Sequence, residues 1–118
     1  MKIGIAGSRS LAVPIPDDII NTDGVSMIYT GGAVGIDRSV RDFAVKKGIR
    51  VTEILPEYEH YGRCAPLVRN ELIVRLSDTV YVFWDGKSRG TENVINLCKE
   101  NNKPYKVFLW DGSSFKSV

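Results

Sequence analysis

Histidine occurs once in these 118 residues, at His60, and cysteine twice, at Cys64 and Cys98. A structural zinc site takes four ligands and a catalytic one three, so this inventory argues against zinc, and no metal is expected. A serine–histidine–aspartate relay would have to run through His60 alone. No apolar stretch approaches the roughly 20 residues of a membrane helix, so no membrane partner is expected. The opening run Met1-Lys2-Ile3-Gly4-Ile5-Ala6 is too short for a signal peptide and reads as a strand, so a cytoplasmic location is expected. The formal net charge is only +2, which argues against a nucleic-acid partner. There is no GxGxxG fingerprint and no GK[ST] ending of a Walker A loop, which leaves dinucleotide oxidoreduction and ATP hydrolysis poorly supported.

What remains is an ordinary globular composition, 43% hydrophobic and 25% charged, long enough for one domain spanning residues 1–118 that buries its core without disulfides or metals. Strand-like and helix-like segments alternate. Strands are expected at Lys2 to Gly7, Val25 to Thr30, Arg50 to Leu55, Thr79 to Trp84 and Lys106 to Trp110. A short helix is expected over Asp17 to Asn21, where Pro16 and two acids favour a helix start. The segment Gly35 to Lys47 places Ile36, Val40, Phe43 and Ala44 on one helical face, and Gly48 suits its end. Pro66 opens a helix with an apolar stripe of Val68, Leu72 and Leu76. The helix over Thr91 to Asn101 turns Val94, Ile95 and Cys98 inward. Glu57 to Ala65 reads as a polar, aromatic loop, and the chain ends in a polar tail. Strands separated by helices imply parallel βαβ units, hence an α/β fold with a five-stranded, mostly parallel sheet. The order 3-2-1-4-5 puts the most apolar strands at the centre and a topological switch point between the first and fourth.

Two glycine-rich strand-to-helix turns stand out: Thr30-Gly31-Gly32-Ala33-Val34-Gly35-Ile36-Asp37 and Asp85-Gly86-Lys87-Ser88-Arg89-Gly90-Thr91. Glycine lets backbone N–H groups approach a ligand, and the helix that follows points its positive end at the same place. Together with Gly7-Ser8-Arg9 after the first strand, these turns meet at the switch point and suggest a phosphate-bearing small molecule. A valine at Gly32 is expected to block that molecule and spare the fold. Arg9 suits a two-pronged phosphate contact. Arg69, Asn70 and Arg89 either reach the ligand or pair locally. Asp37 either caps its helix or accepts a ribose hydroxyl. Tyr58 and Tyr61 either stack on a base or pack as a lid, and Trp84 either lines the pocket or joins the core.

The same motifs, in this order and over nearly the whole chain, resemble the SLOG superfamily, named for the SMF/DprA and LOG proteins, and most closely its small stand-alone YpsA- and YspA-related members. The resemblance implies a Rossmann-like, three-layer fold that binds a nucleotide, ADP-ribose or NAD-like ligand, often as a homo-oligomer, with no cofactor beyond that ligand. It implies ligand or phosphate contacts from Gly7, Ser8, Arg9, Gly31, Gly32, Ala33, Gly35, Asp37, Asp85, Gly86, Ser88, Arg89, Gly90 and Thr91. Arg69, Asn70, Tyr58, Tyr61 and Trp84 would then reach sugar or base. LOG-type members cleave the N-glycosidic bond of nucleoside 5′-monophosphates, and DprA-like members bind single-stranded DNA. The LOG pattern ends Gly-Gly-x-Gly-Thr-x-x-Glu, whereas here Val94 stands where that glutamate would be. Glycosidic cleavage passes through an oxocarbenium-like state that a carboxylate normally stabilises. A hydrolase reading would therefore recruit Asp85, Glu92 or Asp37. Single-stranded DNA binding would need a basic groove, against which the near-neutral charge counts.

Overall fold

The structure is a computed structural model that describes residues 1–32 and 34–118. The elements run β1 (Lys2–Gly7), β2 (Met27–Thr30), α1 (Ile36–Lys47), β3 (Arg50–Glu53), α2 (Tyr58–Tyr61), a 3-10 turn (Gly62–Cys64) and α3 (Ala65–Leu76). They continue with β4 (Thr79–Trp84), α4 (Arg89–Glu100), β5 (Tyr105–Trp110) and β6 (Phe115–Ser117). Among the described residues six strands make one sheet, in the order β3-β2-β1-β4-β5-β6. The first five pair in parallel, in the expected order, and β6 adds an antiparallel edge to β5.

Alternation along the central strands divides the core in two. Ile3 and Ile5 of β1 and Phe83 of β4 pack with Ile36, Val40 and Phe43 of α1 on one face. Val80 and Val82 of β4 pack on the other face with Val74 of α3 and with Val94, Ile95 and Cys98 of α4. Helix α3 comes so close to β1 that a Cβ at Gly4 would stand 2.6 Å from Ser77 Oγ and 3.1 Å from Ile73 Cγ2. A side chain at Gly4 would push α3 away, and the site residues on that helix with it.

Several expectations need correction. The sheet has six strands rather than five because the tail closes a hairpin. Amides of Ser113 and Ser114 donate to Asp111 Oδ1 at 2.9 and 2.8 Å. That turn lays Phe115 edge-on against Phe83, with centroids 5.0 Å apart, and covers the edge of β5. Residues 17–20 form turns rather than a helix. Their role is packing: Ile20 is buried by its turn against the α1 face of the sheet. The segment 57–65 is not a plain loop, since it holds α2 and the 3-10 turn. On α3 the buried residues are Ala65, Asn70, Ile73 and Val74, whereas Leu72 and Leu76 are exposed. The inward stripe is rotated because Asn70 is bonded to α4 and Ile73 sits over Gly4. No helix among the described residues is long and apolar enough to cross a membrane.

Candidate functional site

Loops after three adjacent parallel strands converge at one end of the sheet, beside the β1–β4 boundary where the strand order reverses. A cavity of about 430 Å³ opens there. The β1 loop contributes Gly7 and Arg9, and the β2 loop contributes Gly31, Gly32 and, at the start of α1, Asp37. Ser88, Gly90 and Thr91 come from the N-terminal end of α4, and Arg69 and Asn70 come from α3. Tyr58 stands at the rim, exposed.

Close backbone packing builds this end. Gly35 carries φ +78°, and a Cβ there would lie 2.5 Å from the carbonyl oxygen of Arg9. That approach locks the β1 loop onto the start of α1, where Ile36 N donates to Ser8 O. At Gly31 a Cβ would collide with the Arg69 guanidinium and lie 2.8 Å from Asp37 Oδ2. The absence of that atom lets Arg69 Nη1 donate to Gly31 O at 2.8 Å while its Nε donates to Asn70 Oδ1 at 2.9 Å. Asn70 Nδ2 in turn donates to Asn93 Oδ1 at 3.1 Å, tying α3 to α4. Gly32 has φ +70°, and a Cβ would lie 2.8 Å from Leu55 Cδ2. A valine at Gly32 therefore strains the turn itself and does not spare the fold.

A second network joins the β1 loop to α4. Buried Ser8 accepts from Asp85 N at 3.1 Å and shares a hydrogen bond with Thr91 Oγ1 at 3.2 Å. Thr91 Oγ1 donates to Ser88 Oγ at 3.1 Å, and Ser88 caps α4 by accepting from Thr91 N. The Trp84 indole N–H donates to Ser88 O at 3.1 Å, so this half-buried ring braces the cap from outside the cavity lining.

Charge is disposed unevenly around the cavity. Burial lowers the Arg69 guanidinium below its ordinary value, Asp37 opposes that shift, and the positive charge of Arg9 adds to it. Arg9 and Arg69 both line the cavity, and two positive residues there favour an anionic ligand. Asp37 is buried and accepts from Thr30 Oγ1 at 3.2 Å. Partial burial works to raise the Asp85 carboxyl, but the hydroxyl of Ser10 and the amides of Ser88 and Lys87 outweigh it and hold the group at about 2. Its Oδ1 accepts from Lys87 N and Ser88 N, both at 2.8 Å, and its Oδ2 accepts from Ser10 Oγ at 2.6 Å.

Of the residues expected at the site, Gly7, Arg9, Gly31, Gly32, Asp37, Arg69, Asn70, Ser88, Gly90, Thr91 and Tyr58 line this cavity. Ser8 stands one hydrogen bond behind it, and Gly35 braces the wall. Asp85, Gly86, Arg89, Glu92, Tyr61 and Trp84 lie outside the lining. Asp85 shapes the turn, and Glu92 is exposed on the first turn of α4. Ala33 lies outside the described residues. Sequence reasoning missed the apolar walls, Leu55 and Pro56 on one side and Pro66, Leu67, Ile73 and Val94 on the other. The prolines that flank the aromatic segment were the signal for them, since each ends or begins an element facing the cavity. No family model, no curated protein and no solved structure matches this chain.

Proposed function

We propose that this protein binds a nucleotide or nucleotide-derived ligand in the cavity beside the β1–β4 switch point, as a sensor or carrier of that ligand. The observation that carries the reading is that two arginines, Arg9 and Arg69, and the start of α4 line one cavity. An anionic group seated there receives charge-assisted hydrogen bonds from the arginines and the favourable end of the helix. Asn70 and Tyr58 line the same cavity and would meet sugar and base. On this reading the α/β fold is Rossmann-like and of the SLOG type, and ligand occupancy passes outward through the Ser8–Thr91–Ser88 network.

The test is a thermal-shift screen of the purified chain against mononucleotides, NAD, ADP-ribose and cyclic nucleotides. A ligand at 100 times its Kd stabilises the fold by about 2.7 kcal/mol, a readily measured shift. The control is Gly90→Leu. Gly90 lines the cavity at an exposed position, and a Cβ there meets nothing within 4 Å, so the first turn of α4 has room for a larger side chain. That variant is expected to melt no lower than the parent without ligand and to lose the ligand-induced shift. An unchanged shift in Gly90→Leu would remove α4 from the binding site and overturn the reading.

A further inference from the structure

A guanidinium carries only donors, so it sets the direction of the hydrogen bonds that run on from it. Arg69 Nε donates to Asn70 Oδ1 at 2.9 Å, which turns the Asn70 carbonyl towards Arg69 and its amide nitrogen the other way. That nitrogen donates to Asn93 Oδ1 at 3.1 Å and, at 3.5 Å, to Gly90 O. Asn93 therefore has to present an oxygen. Asn70 is buried and Asn93 half-buried, so losing the bond between them leaves a donor that water does not readily satisfy.

Arg69 is held at a second point. Its Nη1 donates to Gly31 O at 2.8 Å and, at 3.5 Å, to Ile54 O. Nε and Nη1 are thus taken up by the protein, and Nη2 makes no hydrogen bond to a described residue. Among the described residues no buried side-chain nitrogen or oxygen lacks a partner, so Nη2 reaches open space. Arg69 lines the cavity, and Nη2 is the nitrogen it has left to offer there. Asn93 is outside the cavity lining, on α4 three residues beyond Gly90, and acts only from behind the wall.

We propose that Asn93 is a positioning residue for the ligand's anionic group: it orients Asn70, and through Asn70 the plane of Arg69, so that Nη2 is presented to the anion. This inference rests on the nucleotide reading above and adds to it a residue that sets affinity without touching the ligand. Helix α4 then serves the anion twice. Its first turn lines the cavity, and Asn93 ties the arginine to that turn, so the two donors of positive field keep one spacing.

Proton–nitrogen correlation spectra of the full chain test it, with inorganic phosphate as the probe. The Nε–H signal of Arg69, assigned by its loss in Arg69→Lys, is expected to be sharp and slow to exchange in the parent. In Asn93→Leu it is expected to broaden into exchange with water. The phosphate Kd, followed through the amides of Gly31, Gly90 and Thr91, is expected to rise about tenfold or more. Asn93→Ala also lacks an acceptor and gives an independent variant with the same expected pattern. Asn93→Asp keeps an oxygen facing Asn70 and is expected to keep the Arg69 signal. Cys98→Ala loosens the buried face of the same helix without touching this network, and is expected to lower Tm yet leave the phosphate Kd unchanged. A parent-like phosphate Kd in Asn93→Leu and Asn93→Ala, or loss of the Arg69 signal in Asn93→Asp, would overturn the positioning role and leave the nucleotide reading intact. An equal rise in Kd for Cys98→Ala would do the same, as would phosphate left unbound by a parent that binds nucleotides. A parent that binds neither phosphate nor any compound of the nucleotide screen would overturn both readings.

Discussion

Two glycines on the wall of one cavity are expected to respond to alanine in opposite directions, and the contrast tests the geometry of the site. Gly90 sits in the first turn of α4 with open space where its Cβ would go. Alanine there restricts the unfolded chain and loses nothing in the folded one, so Gly90→Ala is expected to stabilise by about 0.4–1 kcal/mol. For a domain of this size that is a rise in Tm of about 2–4 °C. Gly31→Ala places a methyl group against Arg69 and displaces the bond from Nη1 to Gly31 O, 2.8 Å long. Hydrogen bonds to charged groups contribute about 1.5–3 kcal/mol, and a fall in Tm of about 6–12 °C follows. Thermal unfolding followed by circular dichroism reads both changes. Ligand binding divides the pair again: Gly31→Ala loses it because Arg69 is moved, whereas Gly90→Ala, adding one methyl at the rim, keeps most of it. If both alanines shift Tm the same way, the placement of Arg69 beneath the β2 turn is wrong.

Acid is expected to weaken the fold through Asp85. Its carboxyl lies at about 2 in the folded state, below its ordinary value of 3.8, so its contribution is complete above pH about 4 and lost as pH falls towards 2. Asp85→Asn keeps an oxygen acceptor for the amides of Lys87 and Ser88. It should flatten the loss of Tm between pH 4 and 2, and an unaltered profile would contradict that role. Burial pushes the Cys98 thiol up to about 11, whereas Cys64 is exposed. A chromogenic disulfide at pH 8 is expected to titrate one thiol in the native protein and two after unfolding; two fast native thiols would refute the packing of α4. Arg69→Lys loses the fork that serves Gly31 O and Asn70 Oδ1 together. It is expected to lower stability by about 1.5–3 kcal/mol and to remove the ligand-induced shift, and a melt and screen like the parent's would refute the role given to the fork.

The parts of the fold legible in the sequence were those where one residue type answers one physical demand. Thr79 to Trp84 reads as a central strand because only a strand buried on both faces takes so many apolar residues in a row. Gly35 and Gly32 mark the site because the backbone there takes positive φ beside other chain atoms. The α3 stripe misled because Val68, Leu72 and Leu76 keep helical spacing although the fold spends the buried face of α3 on Asn70 and Ile73. Nothing local in the sequence says that Asn70 will find Asn93. The β6 hairpin was legible in Asp111-Gly112, a turn signal that composition alone files under a polar tail. Less legible was the cavity between the segment after β1 and α1, since Ile15 and Phe43 are buried core residues that also line it.

Where the carboxylates stand also bears on whether a bound nucleotide is held or cut. Cleavage of an N-glycosidic bond normally uses a carboxylate beside the reacting carbon, free to stabilise positive charge. Asp85 spends both oxygens on its own turn and Ser10, and lies outside the lining. Glu92 faces solvent. At the position that a hydrolase would give to glutamate, Val94 contributes an apolar patch of wall. Asp37 is the one carboxylate among the described residues lining the cavity, and it is engaged by Thr30 and opposed to the charge of Arg69. A carboxylate placed to balance an arginine keeps that arginine seated between ligands, which serves reversible binding. The same pairing weakens the negative field that an oxocarbenium-like state would need. Among the described residues a hydrolase reading is thus left with Asp37 as its one carboxylate at the cavity, and that carboxylate already accepts from Thr30.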